Sequence, residues 1–268
     1  MKHYHICLSI AGSDPYGGAG IQADLKTFSA LGCYGAAAIT ALTVQNSKGV
    51  KRTVPVDAAL VFDQAAAVME DINPHSLKIG LTVNSDVIRA ICRLIDTYHP
   101  PFVILDPVMV SSSGKRLFNE SAVGCMVDEL IPRCSLVTPN LPELEVLTGG
   151  GTDEYQTRQF IQSTGCPYVL VKGGHRHGRP ADVLVGCNGS QVFDGERIQT
   201  RHTHGTGCTL SSAIAAFMAR GEELAQAVCH AKKYVTRALA AGSDVSIGDG
   251  NGAMNHFFSP LPLFIEDF

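Results

Sequence analysis

No apolar run in this chain approaches the length of a membrane span. Charge is scarce as well as balanced. Only 17% of residues are Asp, Glu, Lys or Arg, and the net charge is -4, which argues against a nucleic-acid or membrane-surface binder. The nine cysteines include no C-x-x-C pair and so offer no zinc-type spacing. Their odd number, and the absence of a signal-peptide pattern at Met1-Lys2-His3-Tyr4-His5, lead us to expect reduced thiols in a cytoplasm. No G-x-x-x-x-G-K-[ST] occurs, because Gly114-Lys115 is followed by Arg116, so P-loop chemistry is excluded. With no internal repeat, low-complexity tract or linker, all 268 residues are expected to form a single domain, 1–268.

What is present is an alternation of short β-rich runs with helical patterns. Strands are expected at His5–Ala11, Ala36–Val44, Ser76–Gly80, Phe102–Asp106, Ser135–Thr138 and Tyr168–Lys172. Helices are expected near Ile21–Leu31, Asp57–Asp71, Ser85–Tyr98, Asn119–Leu130, Leu141–Leu147 and Asp153–Thr164. Continuous apolar strands such as Val103-Ile104-Leu105 suit a sheet covered on both faces, so the fold class is α/β with a mainly parallel sheet wrapped by helices. One antiparallel hairpin is expected, Asp182–Cys187 with Gln191–Phe193, joined by Asn188-Gly189-Ser190.

In such sheets ligands bind beyond the carboxyl ends of the strands, and the polar and glycine-rich signals gather there. Gly12-Ser13-Asp14 and Gly17-Gly18-Ala19-Gly20 follow the first strand, Gln45 and Asn46 the second, and Gly80 closes the third. Asp106-Pro107 ends the fourth, Asn140-Leu141-Pro142-Glu143 follows the fifth, and Lys172-Gly173-Gly174 ends the sixth. Gly18-Ala19-Gly20-Ile21-Gln22-Ala23 formally matches the dinucleotide fingerprint, but it starts too far from the strand end. The acidic residue due about 20 positions later is also missing from Ala36–Leu42.

The strongest local signal is His204-Gly205-Thr206-Gly207-Cys208-Thr209, followed by a helical run through Leu210, Ala213, Ile214, Phe217 and Met218 that Gly221 stops. A glycine-rich turn opening a helix offers free N–H groups and the positive end of the helix dipole, which is an anion site. The same dipole is expected to lower the Cys208 thiol pKa and make the sulfur a base or nucleophile. Taken alone, the turn could equally be a loop with a core cysteine.

These blocks, in this order, resemble the hydroxymethylpyrimidine/phosphomethylpyrimidine kinases of thiamine biosynthesis, within the ribokinase-like superfamily. The resemblance rests on Ala11–Pro15, Gly17–Lys26, Ile39–Leu42 with Gln45-Asn46, Lys78-Ile79-Gly80, Leu105–Met109, Val137–Glu143, Val171–His175 and His204–Thr209. It implies transfer of a phosphoryl group from ATP to 4-amino-5-hydroxymethyl-2-methylpyrimidine and then to its monophosphate. It also implies Gly205, Thr206, Gly207 and Cys208 around the transferring group, with Cys208 where most of the superfamily carries an aspartate base. By the same resemblance Asp106 and Glu143 hold Mg²⁺, and Asn140, Lys172 and Lys232 meet ATP. Gly12, Asp24, Gln45 and Val108 line the acceptor pocket with Leu81, where relatives often have methionine, and the enzyme is a homodimer.

Each residue also has a plainer reading. Asp106 could be a solvated strand end, Glu143 a first-turn acid favoured by the dipole, Lys172 a snorkelling side chain, and Lys232 or Asp24 an exposed helical charge. His175, His177 and His204 are not spaced as a metal set, and Arg176 and Arg179, beside Gly178, read as a solvated loop, with a mobile phosphate-facing loop as the alternative. Two other functions share the pattern: a vitamin B6 kinase, differing mainly around the acceptor ring, and a nucleotide-binding regulatory protein. Gln45 separates the two kinases, because its amide presents one donor and one acceptor side by side, matching the ring nitrogen and exocyclic amine of an aminopyrimidine.

Overall fold

Val103-Ile104-Leu105 shows why both faces of the sheet need cover. Val103 and Leu105 enter one apolar core with Leu8, Ile10, Leu77, Ile79 and Val169, whereas Ile104 enters another with Cys7, Leu136, Leu170 and Leu184. This is the alternation of a strand buried on both sides.

The structure is a computed structural model that describes residues 2–110, 114, 117, 120–173 and 180–267. The first half runs β1 (Lys2–Tyr4), β2 (Ile6–Ser13), α1 (Gly20–Ala30), β3 (Tyr34–Asn46), β4 (Gly49–Pro55), α2 (Ala58–Ile72), β5 (Ser76–Ile79), α3 (Ser85–Tyr98) and β6 (Val103–Leu105). After a short α4 (Val123–Cys125) come β7 (Leu136–Val137), α5 (Leu141–Thr148), α6 (Glu154–Thr164), β8 (Tyr168–Val171), β9 (Asp182–Gly186) and β10 (Gly189–Phe193). The chain closes with α7 (Thr206–Ala219), α8 (Leu224–Ala241) and β11 (Ile265–Asp267).

Among the described residues a nine-stranded sheet has the order β10-β9-β8-β7-β6-β5-β2-β3-β4, and β1 pairs separately with β11. Strands β3, β2, β5, β6, β7 and β8 are parallel, as the alternation of elements predicts. One face carries α2, α3, α5 and α6, through residues such as Met69, Ile91, Leu144 and Phe160. The other carries α1, α7 and α8, through Phe28, Ile214 and Val228. The two phases of the strands therefore point to different helix sets, and Ser9 and Lys78 point to α1 and α7.

Three expectations need correction. Antiparallel pairing is not confined to the β9–β10 hairpin, since β9 also pairs antiparallel with β8, and β4 pairs antiparallel with β3 at the opposite edge. Strand β4 carries Lys51, Arg52 and Pro55, the composition of a solvated edge rather than of a buried run. The helix expected at Asn119–Leu130 is broken: a 3₁₀ turn at Glu120–Ala122, α4, a π turn at Met126–Leu130 and a further 3₁₀ turn at Ile131–Arg133. Gly124 weakens that stretch and Pro132 cannot continue it, while Asn119 lies outside the described residues. Finally, α7 begins at Thr206 rather than after Thr209, so Cys208 lies inside its first turn.

Candidate active site

Two helix N-termini meet at one point beyond the carboxyl ends of the parallel strands. The N-cap of α7 is Gly205, held at φ +81°, and a Cβ there would overlap the carbonyl oxygen of Gly18. Gly20 opens α1 at φ +55°, where a Cβ would overlap the carbonyl oxygen of Gly12. Only glycine permits both the left-handed backbone and the close approach of the two loops. Asp14 ties the loops together: its carboxylate accepts the backbone N–H groups of Tyr16, Gly18 and Ala19 and pairs with His204 Nε2 at 2.8 Å. Burial opposes the Asp14 charge, but the His204 hydrogen bond and these amides outweigh it and hold the carboxyl below its ordinary value. His204, unassigned as a ligand from its spacing, is thus a strut between the glycine loops.

Within the turn, Thr206 N–H donates to Thr203 O at 3.2 Å, so it is not available to the anion cradle that the resemblance assigns it. Gly207 and Cys208 lie in the first helical turn, where the fold supplies no intrahelical acceptor for their N–H groups. The expected low thiol pKa is reversed. Burial pushes the Cys208 thiol up to about 11, and Asp106 and Asp24 add to the rise, while Lys78 and the Gly20 amide work against it. Desolvation of a thiolate outweighs the dipole here.

Facing the turn is a carboxylate–ammonium–carboxylate arrangement. Lys172 Nζ donates to Asp106 Oδ1 at 2.6 Å and stands 3.7 Å from Glu143 Oε2. Asp106 is buried, not solvated, and its Oδ2 would be 3.5 Å from a Cβ on Gly207. Glu143 closes a capping box with Asn140 at the start of α5: Asn140 N–H donates to Glu143 Oε2 and Glu143 N–H to Asn140 Oδ1. Burial raises the Glu143 carboxyl against the pull of Lys172. Burial also disfavours the Lys172 charge, but Asp106 and Glu143 hold the ammonium above its ordinary value.

Of the residues that the resemblance places around the acceptor, Gly12 packs against Leu81, since a Cβ there would stand 3.2 Å from Leu81 Cδ2. Gln45 lies near the end of β3, half-buried on the same alternation as Thr43, whose hydroxyl donates to Ser13 O. Val108 is half-buried two residues after Asp106. Asp24 neither lines an acceptor pocket, as the resemblance implies, nor stands as an exposed helical acid. Its side chain is 0% exposed, and its oxygens accept Lys78 Nζ at 2.9 and 2.8 Å, Ser9 Oγ at 2.6 Å and Ser212 Oγ at 2.6 Å. Lys78, which the sequence offers only inside a motif, is buried with it. The signal was its strand phase, which points toward α1 and α7.

A cavity of about 640 Å³ lies between β10 and α8, lined in part by Phe193, Gly195, Cys229, Lys232, Lys233 and Arg237. Lys232 is not a free surface charge, because its Nζ donates to Asp182 Oδ2 at 2.6 Å. His175, Arg176, His177 and Arg179 lie outside the described residues.

The family model described as phosphomethylpyrimidine kinase matches residues 14–255. A hydroxymethylpyrimidine/phosphomethylpyrimidine kinase of Rhizobium meliloti (strain 1021) is 46% identical over 265 residues, covering 94% of this chain and 97% of that protein. The crystal structure of a phosphomethylpyrimidine kinase from Clostridium difficile 630 is 41% identical with a TM-score of 0.76, covering 87% of this chain and 99% of that one. An ADP complex of Bacillus subtilis pyridoxal kinase is 31% identical with a TM-score of 0.86, covering 95% of this chain and 98% of that one.

Proposed function

The chain belongs to the phosphomethylpyrimidine kinase family, with a ribokinase-like fold, and from that premise we infer that it phosphorylates 4-amino-5-hydroxymethyl-2-methylpyrimidine and then its monophosphate, using ATP, in thiamine biosynthesis. The observation that carries the reading is the convergence of the α1 and α7 N-termini on Cys208, opposite the Asp106–Lys172–Glu143 group. Phosphoryl transfer needs placement and charge stabilisation more than covalent help. The free N–H groups of Gly207 and Cys208 receive the anionic oxygens, Lys172 neutralises one side, and Cys208 lies where the acceptor hydroxyl must lose its proton. The cavity beside α8 is our assignment for the adenosine half, with Lys232 on its wall and Asn140 nearer the phosphates. Asp106 and Glu143 are hard oxygen donors that both approach Lys172, and they suit Mg²⁺, which takes one or two carboxylates with water and phosphate oxygens. Asp106 and Glu143 would hold it, and when bound it would neutralise triphosphate charge.

Glu143→Gln tests that assignment cleanly, because a glutamine oxygen still accepts the Asn140 amide while the charge is gone. The variant should need more Mg²⁺ for half-maximal rate; wild-type magnesium dependence would remove Glu143 from the metal site. We also propose a homodimer, for which exposed Leu42, Val44 and Val54 offer an apolar patch on one face of β3 and β4.

The acceptor is tested by kcat/KM on hydroxymethylpyrimidine and on pyridoxal at equal ATP. Vitamin B6 compounds lack the nitrogen–amine pair, so Gln45 would be left partly unsatisfied, at a cost of about 1–3 kcal/mol or roughly 5–150-fold in selectivity. The pyrimidine should be preferred, and Gln45→Met should erase most of the difference. A wild-type enzyme faster on pyridoxal would make the chain a vitamin B6 kinase.

A further inference from the structure

Ser9 and Lys78 occupy the strand phase that faces α1 and α7, and there they donate to Asp24 of α1, which also accepts the hydroxyl of Ser212 from α7. Both charged side chains are 0% exposed, and Asp24 receives a hydroxyl on each oxygen in addition to the ammonium. Ser212 is one helical turn after Cys208 and shares its face, so the buried pair sits directly below the transfer turn. Lys78 Nζ would lie 3.1 Å from a Cβ on Gly80, which raises the ammonium toward the carboxyl end of the sheet, where the site opens.

A buried ion pair is a poor source of stability compared with apolar packing, so its presence at this depth calls for another role. We propose that Lys78, clamped by Asp24, is a positioning residue whose buried ammonium stabilises the thiolate form of Cys208. The inference rests on the phosphoryl-transfer reading. In that reaction the thiolate takes the proton of the acceptor hydroxyl while the hydroxyl oxygen bonds to the γ-phosphorus and the bond to the ADP oxygen breaks. The new thiol returns its proton to water before the next turnover. Among the described residues four charged groups bear on the sulfur: Lys78 from β5, Asp24 from α1, Asp106 after β6 and Lys172 after β8. Of these, Lys78 has the largest effect, and it opposes the rise that burial imposes.

The two members of the pair therefore pull Cys208 in opposite directions, which a purely structural clamp would not do. The test is iodoacetamide alkylation of the Cys208 peptide, followed by mass spectrometry at one fixed alkaline pH, with no nucleotide or acceptor present. Lys78→Met should slow alkylation about tenfold, equivalent to about one pH unit in the thiol. Asp24→Asn should accelerate it. The neutral double variant Lys78→Met/Asp24→Asn should react more slowly than wild type by a smaller factor, and it decides the matter if either single variant fails to melt cooperatively. Rates shifted in the same direction in both single variants, or an unshifted double variant, would overturn the proposal. A second arm measures kcat and nucleotide KM for the double variant, where kcat should fall and KM should hold. Because alkylation uses no substrate, a wild-type chain inactive on the aminopyrimidine would sink the acceptor assignment without touching this one.

Discussion

Cys208→Ala should lower turnover about 10²–10⁴-fold, the range expected when a positioned proton acceptor is lost, while nucleotide affinity stays nearly unchanged. Alanine keeps the Cβ and favours the helix, so the N–H groups of Gly207 and Cys208 keep their places at the start of α7. What disappears is the sulfur between the α1 and α7 N-termini. Because burial holds that thiol at about 11, the wild-type sulfur is protonated at neutral pH, and its thiolate fraction grows as pH rises. Wild-type turnover at saturating substrates should accordingly climb through the alkaline range, and the alanine variant should lack that limb. Steady-state kinetics across pH, with calorimetric ADP binding, provide both readings. Unchanged turnover in the variant would make Cys208 a packing residue.

Gly205→Ala should be among the most damaging single-methyl additions in the chain. The backbone there is left-handed, which costs a non-glycine residue about 1–2 kcal/mol. Overlap with the Gly18 carbonyl adds about 1–3 kcal/mol or more, since backbone cannot swing aside as a flexible side chain can. Gly221 provides the control: it has the same φ of +81°, but a Cβ there meets nothing within 4 Å. Gly221→Ala should cost only the left-handed penalty and leave turnover alone. Gly205→Ala should melt at a lower temperature than Gly221→Ala and lose most activity, because separating the glycine loops moves both helix N-termini. Equal melting temperatures and equal rates would mean that the two loops do not touch.

Much of this protein was legible in the order of its residues. Uninterrupted apolar triplets such as Val103-Ile104-Leu105 declare a strand covered on both faces, and strand–helix alternation then leaves a mainly parallel sheet as the economical way to bury them. The glycines of the first loop and of the Gly205 turn declare left-handed backbone and close approach, because no other residue relieves those constraints. Edge strand β4 was silent, since a solvated strand needs no apolar alternation, and the broken helix before β7 shows Gly124 and Pro132 overriding a periodic pattern.

Charge was the part that only tertiary structure decided. The helix dipole argues for a reactive thiol at Cys208, yet desolvation by the assembled walls reverses the sign. Asp24 reads as a pocket or surface acid, yet strand phase carries Ser9 and Lys78 underneath it and α7 carries Ser212 alongside, closing it off entirely. Backbone preferences act over a few neighbouring residues and are therefore written locally. An ionisable group responds to every charge and every displaced water within several ångströms, and those neighbours come from elements far apart in the chain.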